Sequence, residues 1–134
     1  AKESIRLQLH FKKAVMRVIK SFKYAFEGLR DALLHEKNFR IQVFIFFLII
    51  LASVILQIST IEWLIILLCS ALVLSAEIFN SGIEKLCDLV SPEIHPIIKR
   101  TKDFSAAAVL LTIIISIIIG CIIFIPKIIK WIAG

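Results

Sequence analysis

The chain has 134 residues, of which 60% are hydrophobic and 19% charged, with a mean hydropathy of +0.97 and a net charge of +6. That composition excludes a soluble globular domain and places the chain in the membrane class. The basic charge is ordered along the chain and lies beside apolar runs, which argues against nucleic acid as its partner.

The first forty residues are mostly polar, but Phe11, Val15, Val18, Phe22, Phe26, Leu29 and Leu33 recur at helical spacing against a basic face of Lys12, Lys13, Arg17, Lys20, Lys23 and Arg30. The pattern predicts an amphipathic helix over residues 11–34, lying in the cytoplasmic interface of a membrane. Glu27 and Asp31 on this helix read as solvated or paired with nearby Lys. No cleavable signal peptide is expected, because the first apolar run follows forty polar residues and has no small-residue cleavage site after it.

Three apolar stretches follow, Ile41–Ile58, roughly Ile61–Ile83, and Phe104–Ile125. Each is close to the ~20 residues that cross about 30 Å of hydrocarbon. The expectation is a single all-α integral membrane domain over 1–134, with an interfacial helix and three transmembrane helices. The short turn around Ser59–Thr60 makes the first two spans an antiparallel hairpin, with Trp63 at the outer interface. The second helix should stop before Pro92 and Pro96, and Pro126 should end the third apolar run.

Ten of the sixteen Lys and Arg precede the first span, and Lys85, Lys99, Arg100 and Lys102 lie in the second connection, leaving only Lys127 and Lys130 beyond the third span. By the positive-inside rule the N-terminus and the second connection are cytoplasmic, and the first connection and the C-terminus are external. Cys69, Cys87 and Cys121 are scattered and read as small apolar residues rather than disulfides or metal ligands.

Glu77, Asn80, Glu84 and Asp88 are spaced three, four and four residues apart, so on a helix they share one face. An ionised carboxylate within a span costs about 2.5–3.5 kcal/mol on insertion scales, and such residues usually mark function. A polar contact gluing helices together is the plainer reading, but two carboxylates on one face look more like a site for a cation. Counted inward from Trp63 at 1.5 Å per residue, Glu77 lies about 8 Å inside the inner edge, with Glu84 at the edge and Asp88 beyond it. Glu36 and Arg40 flank the first span on that side, and Lys99, Lys102 and Asp103 flank the third. A channel or carrier would need polar lining across the bilayer, whereas these polar groups converge on one layer.

Carboxylates for Mg²⁺, cations for phosphate and a base for an attacking hydroxyl are the ingredients of phosphoryl transfer. The four glycines form neither a Walker A loop nor a kinase Gly-rich loop. The layer therefore reads as an interfacial lipid phosphotransferase in which Glu77 meets the lipid hydroxyl, with an interfacial phosphatase fitting nearly as well. A non-catalytic oligomeric membrane protein is the reading of another class.

The run EIFNSGIEKLCD over 77–88, followed by HPIIKRTKDFSAAAV over 95–109 and preceded by Glu36-Lys-Asn-Phe-Arg40, closely resembles the signature of the small bacterial diacylglycerol kinase family. The resemblance covers almost the whole chain from about Phe11. The segments EKNF, IEWL and LVLSAE are similar to the Gram-positive branch, whose preferred substrate is undecaprenol; diacylglycerol is the alternative acceptor. The resemblance implies ATP as phosphoryl donor, Mg²⁺ as cofactor, a location in the cytoplasmic membrane and a homotrimer with sites shared between subunits. It implies Glu77 as catalytic base and, with Arg40, as a contact to the lipid substrate. Asn80 and Lys102 are implied as further active-site residues, and Glu36 and Glu84 as the metal carboxylates. Arg17, Glu36, Glu84, Asp88, His95, Lys102 and Asp103 would surround the nucleotide. His95 between two prolines reads equally well as a loop cap. Gly82 and Thr101 each stand where the family usually has Ala.

Overall fold

A computed structural model of the chain describes residues 2–91 and 95–134, with side chains from His10 onward. Among the described residues every regular element is helical: α1 (Lys2–His35), α2 (Lys37–Ile55), α3 (Thr60–Val90) and α4 (Pro96–Ala133). Two compact units divide the chain, Ala1–Glu36 and Lys37–Gly134.

The first unit is α1. It begins nine residues before the Phe11 expected from the apolar repeat, because Lys2–His10 contains no Pro or Gly to stop a helix. Its apolar stripe stands exposed at Phe11, Val18, Phe22 and Phe26. Lys23 lies 3.8 Å from Glu27, and Asp31 pairs at 2.9 Å with His35.

In the second unit α3 packs against both α2 and α4. All three helices are long and apolar enough to span a membrane. Inside such helices a lone hydroxyl can find a partner in the backbone of its own helix. Ser53 Oγ accordingly donates to the Ile49 carbonyl at 2.7 Å, and Thr112 Oγ1 to that of Val109 at 2.8 Å.

The turn between α2 and α3 is built by side chains on both flanks. Gln57 takes a left-handed φ of 48°, and Gln57 N and Ile58 N donate back to the carbonyls of Val54 and Ser53, both at 3.2 Å. That is a Schellman closure with glutamine where glycine is usual. Ser59 then caps α3: Glu62 N donates to Ser59 Oγ at 3.3 Å while Ser59 N donates to Glu62 Oε2 at 2.6 Å. Ile58, just before the cap, and Trp63, four residues after it, join one apolar cluster with Ile66 and Ile123. Lys127 of α4 closes this end by pairing with Glu62 at 3.0 Å.

The helix α4 extends past its apolar run at both ends. It starts at Pro96, ahead of the run that begins at Phe104, because proline is at home in a first helical turn and His95 supplies the cap. It also runs through Pro126 to Ala133, so Pro126 sits inside the helix. Proline there removes one backbone donor without ending the helix, since neighbouring helices can support the freed groups in a membrane protein. α3 ends at Val90 with Ser91 as its C-cap, and Pro92 lies outside the described residues. Cys69 is half-buried and Cys87 buried, while Cys121, expected in a packed setting, is exposed on α4.

Gly82 has nothing within 4 Å of the position a Cβ would take. Gly82→Ala is therefore expected to stabilise α3 by about 1 kcal/mol without changing turnover, as read by melting in detergent beside an activity assay.

Candidate active site

The polar stripe forms as its spacing predicts, and its burial is graded. Glu77 is 3% and Asn80 6% exposed, Glu84 is half-buried, and Asp88 is exposed at the end of α3. A single helix face thus runs from a sealed carboxylate to an open one.

Each acidic group of α3 has a described partner. Gln42 Nε2 of α2 donates to Glu77 Oε2 at 2.9 Å. Asn80 Nδ2 donates to Glu84 Oε1 at 3.2 Å, one turn along the same helix. Lys102 Nζ of α4 donates to Asp88 Oδ1. Carboxylates only accept, so the amide nitrogens of Gln42 and Asn80 must be the atoms that face them. Their carbonyl oxygens, Gln42 Oε1 and Asn80 Oδ1, are then buried with no hydrogen-bond partner. A buried orphan acceptor costs about 1–3 kcal/mol, so each of these two amides is short of a donor.

The remaining expected residues distribute as follows. Lys99 pairs with Asp103 at 2.7 Å within the first turns of α4. His95 caps α4, its Nδ1 accepting from Ile97 N at 3.3 Å, which leaves the proton of a neutral ring on Nε2. Thr101, at a position where Ala is usual, returns its hydroxyl to the Ile97 carbonyl at 3.0 Å and disturbs nothing nearby. Arg40 is exposed in the first turn of α2. In the first unit, Arg17 shares one face of α1 with Lys12, Lys13 and Lys20, and Glu36 follows the last turn, its N–H bonded to the Ala32 carbonyl at 2.9 Å. Among the described residues no group of three or more His, Cys, Asp or Glu is arranged to hold a metal. Mg²⁺ asks for less, usually one or two carboxylates with phosphate and water completing its shell. The half-buried Glu84 carboxylate, whose Oε1 takes one bond from Asn80 Nδ2, keeps oxygen lone pairs that could serve such an ion.

Sequence reasoning missed Gln42. It stands near the start of an apolar run, where a polar residue reads as an interface marker, and only the packing of α2 on α3 brings it to Glu77 across 35 residues.

Residues 23–124 match the sequence pattern of the prokaryotic diacylglycerol kinases. The chain belongs to this family. Among its relatives, the undecaprenol kinase of Bacillus subtilis is 36% identical over 111 residues, covering 83% of this chain and 90% of the relative. The diacylglycerol kinase of Escherichia coli K12 is 35% identical over 106 residues, covering 79% and 87%. The diacylglycerol kinase of Helicobacter pylori 26695 is 36% identical over 103 residues, covering 76% and 80%. As a member of the prokaryotic diacylglycerol kinase family the chain is a membrane-embedded lipid kinase that uses ATP as phosphoryl donor. The match takes in α2, α3 and most of α4, and with them every pair of the stripe.

Proposed function

We propose that this chain transfers the γ-phosphoryl group of ATP to the hydroxyl of undecaprenol at the cytoplasmic face of the membrane, giving undecaprenyl phosphate. Diacylglycerol, which would give phosphatidic acid, is the second acceptor. The reading is carried by the graded stripe, in which a sealed carboxylate at Glu77 leads to an open Asp88–Lys102 pair. Lipid can reach the first from the bilayer, and nucleotide the second from water. The name of the Bacillus subtilis relative supports undecaprenol, and so do the segments EKNF, IEWL and LVLSAE.

In this mechanism Gln42 holds Glu77 by Oε2, and the carboxylate takes the proton of the lipid hydroxyl as its oxygen attacks the γ-phosphorus. The bond from that phosphorus to the β–γ bridging oxygen breaks, and ADP leaves. Lys102 has three donors, so it can keep Asp88 and still reach a phosphate oxygen. Glu36 and Glu84 would hold Mg²⁺, which when bound neutralises phosphate charge. Asn80 steadies Glu84, Arg40 meets the lipid substrate, and Arg17, Asp88, His95 and Asp103 surround the nucleotide.

The working form is a homotrimer in which α1 lies in the cytoplasmic interface and completes the site of a neighbouring copy. Two orphaned acceptors, and spans with 11% of their most apolar windows buried, support an assembly that adds both donors and apolar cover. The charge asymmetry supports a cytoplasmic N-terminus and Lys85–Lys102 connection with an external C-terminus. Single cysteines introduced into the cysteine-free protein should be labelled by impermeant maleimide from outside intact cells near Gly134 and not near His95. Labelling near His95 would overturn the topology and the site together. For the acceptor, purified protein offered undecaprenol and diacylglycerol in competition should phosphorylate mainly undecaprenol; predominant phosphatidic acid would reverse the order.

A further inference from the structure

The connection between α3 and α4 is flanked by charges of opposite sign. Asp88 stands in the last turn of α3, the end of a helix where the dipole disfavours an anion, and that turn holds no cation to offset it. On α4, Lys99, Arg100 and Lys102 follow the cap at His95, with no acid in the first turn. Lys102 Nζ donates to Asp88 Oδ1 across 14 residues of chain. Its side chain is 35% exposed, against 69% for Lys99, whose partner Asp103 lies on its own helix. An ion pair this open adds little to the stability of a fold, so stability does not explain an acid at the end of α3.

We propose that Asp88 is a positioning residue, which holds the Lys102 ammonium at the open end of the stripe ready for a phosphate oxygen and makes no contact of its own with the nucleotide. The inference rests on Lys102 as a phosphate contact and adds how that contact is prepared. Lysine carries a compact charge on a flexible four-carbon stem, with no planar fork to fix its direction. Left free, such a side chain must be ordered as the ligand binds, and the ordering weakens binding. Asp88 takes one of its three N–H groups and leaves two for phosphate.

The stripe then divides its work along one helix face. Glu84 keeps lone pairs for an ion, and Asp88, one turn further on, spends an oxygen on the cation of α4. The sign of the effect separates this role from its rivals. A carboxylate that merely neighboured the phosphates would repel them, so its removal would tighten binding. A carboxylate that met the hydroxyls of the sugar would matter to a nucleotide and not to a bare chain of phosphates. A carboxylate that acts through Lys102 matters to both ligands, and only while Lys102 is present.

Titration calorimetry on the full-length protein in detergent would measure binding of Mg²⁺-ATP and of Mg²⁺-tripolyphosphate, which has the phosphates and no nucleoside. Lys102→Met is expected to weaken both by about tenfold or more, the loss of a charged hydrogen bond. Asp88→Asn should weaken both by about three- to tenfold, the ordering of one long side chain, and Asp88→Glu should recover most of that loss. Added to Lys102→Met, Asp88→Asn should cost nothing further. Should Asp88→Asn fail to assemble, Asp88→Ser carries the same expectation. Binding unchanged or tightened by Asp88→Asn, a loss confined to Mg²⁺-ATP, or an equal loss without Lys102 would each overturn the positioning role. If Lys102→Met itself binds both ligands normally, the phosphate role of Lys102 falls first, and Asp88 has nothing to position.

Discussion

Glu77→Gln is expected to lower turnover by at least about 10²-fold, the usual contribution of a general base, with little change in ATP affinity. Glu77 is sealed from water two turns deeper on its face than Glu84, so a hydroxyl borne by lipid is the group that reaches it. The same change should leave the assembly as heat-stable as before, or more so. It removes an ionisable group from a span, where charge costs about 2.5–3.5 kcal/mol. It also provides an amide that can donate to the orphaned Gln42 Oε1, so one hydrogen bond is kept and one buried acceptor gains a partner. If the stripe were only an interhelical polar contact, the opposite pair of results would follow, activity kept and stability lost. Turnover and detergent melting on one preparation separate the two.

Glu84→Gln should abolish turnover for a different reason. Glu84 is half-buried, and its described contact is the 3.2 Å bond from Asn80, so the carboxylate retains oxygen lone pairs for an ion. Mg²⁺ binds through charged oxygens and tolerates few substitutes. The variant should keep its fold, because an amide can still accept from Asn80 Nδ2, while its affinity for Mg²⁺-ATP drops. Titration calorimetry with Mg²⁺-ATP and with ATP alone should show the loss in the first and little in the second. Near-normal turnover at low Mg²⁺ would remove Glu84 from the metal site.

The stripe itself was legible because its information is local: three-and-four spacing on a helix is a property of the chain alone, and its burial follows from position within an apolar run. The spans and the end of α3 were legible for the same reason. The capping box of Ser59 and Glu62 is equally local, an S-x-x-E just before an apolar run, and Glu62 also closes the turn with Lys127. Gln42 belongs to another kind of information. A hydrogen bond between α2 and α3 depends on how two featureless apolar faces rotate against each other, and nearly every side chain on those faces is interchangeable. The extension of α4 through Pro126 is not written in its apolar run, which ends there; a helix can continue past proline where neighbouring helices support the freed backbone groups.

The most direct test of the central claim follows the phosphorus atom. Protein purified in detergent and given γ-labelled ATP, Mg²⁺ and undecaprenol should move the label into a lipid phosphate that partitions into organic solvent, and the same preparation carrying Glu77→Gln should move at least about 10²-fold less. Label released only as inorganic phosphate, or transferred equally well without the Glu77 carboxylate, would contradict the account.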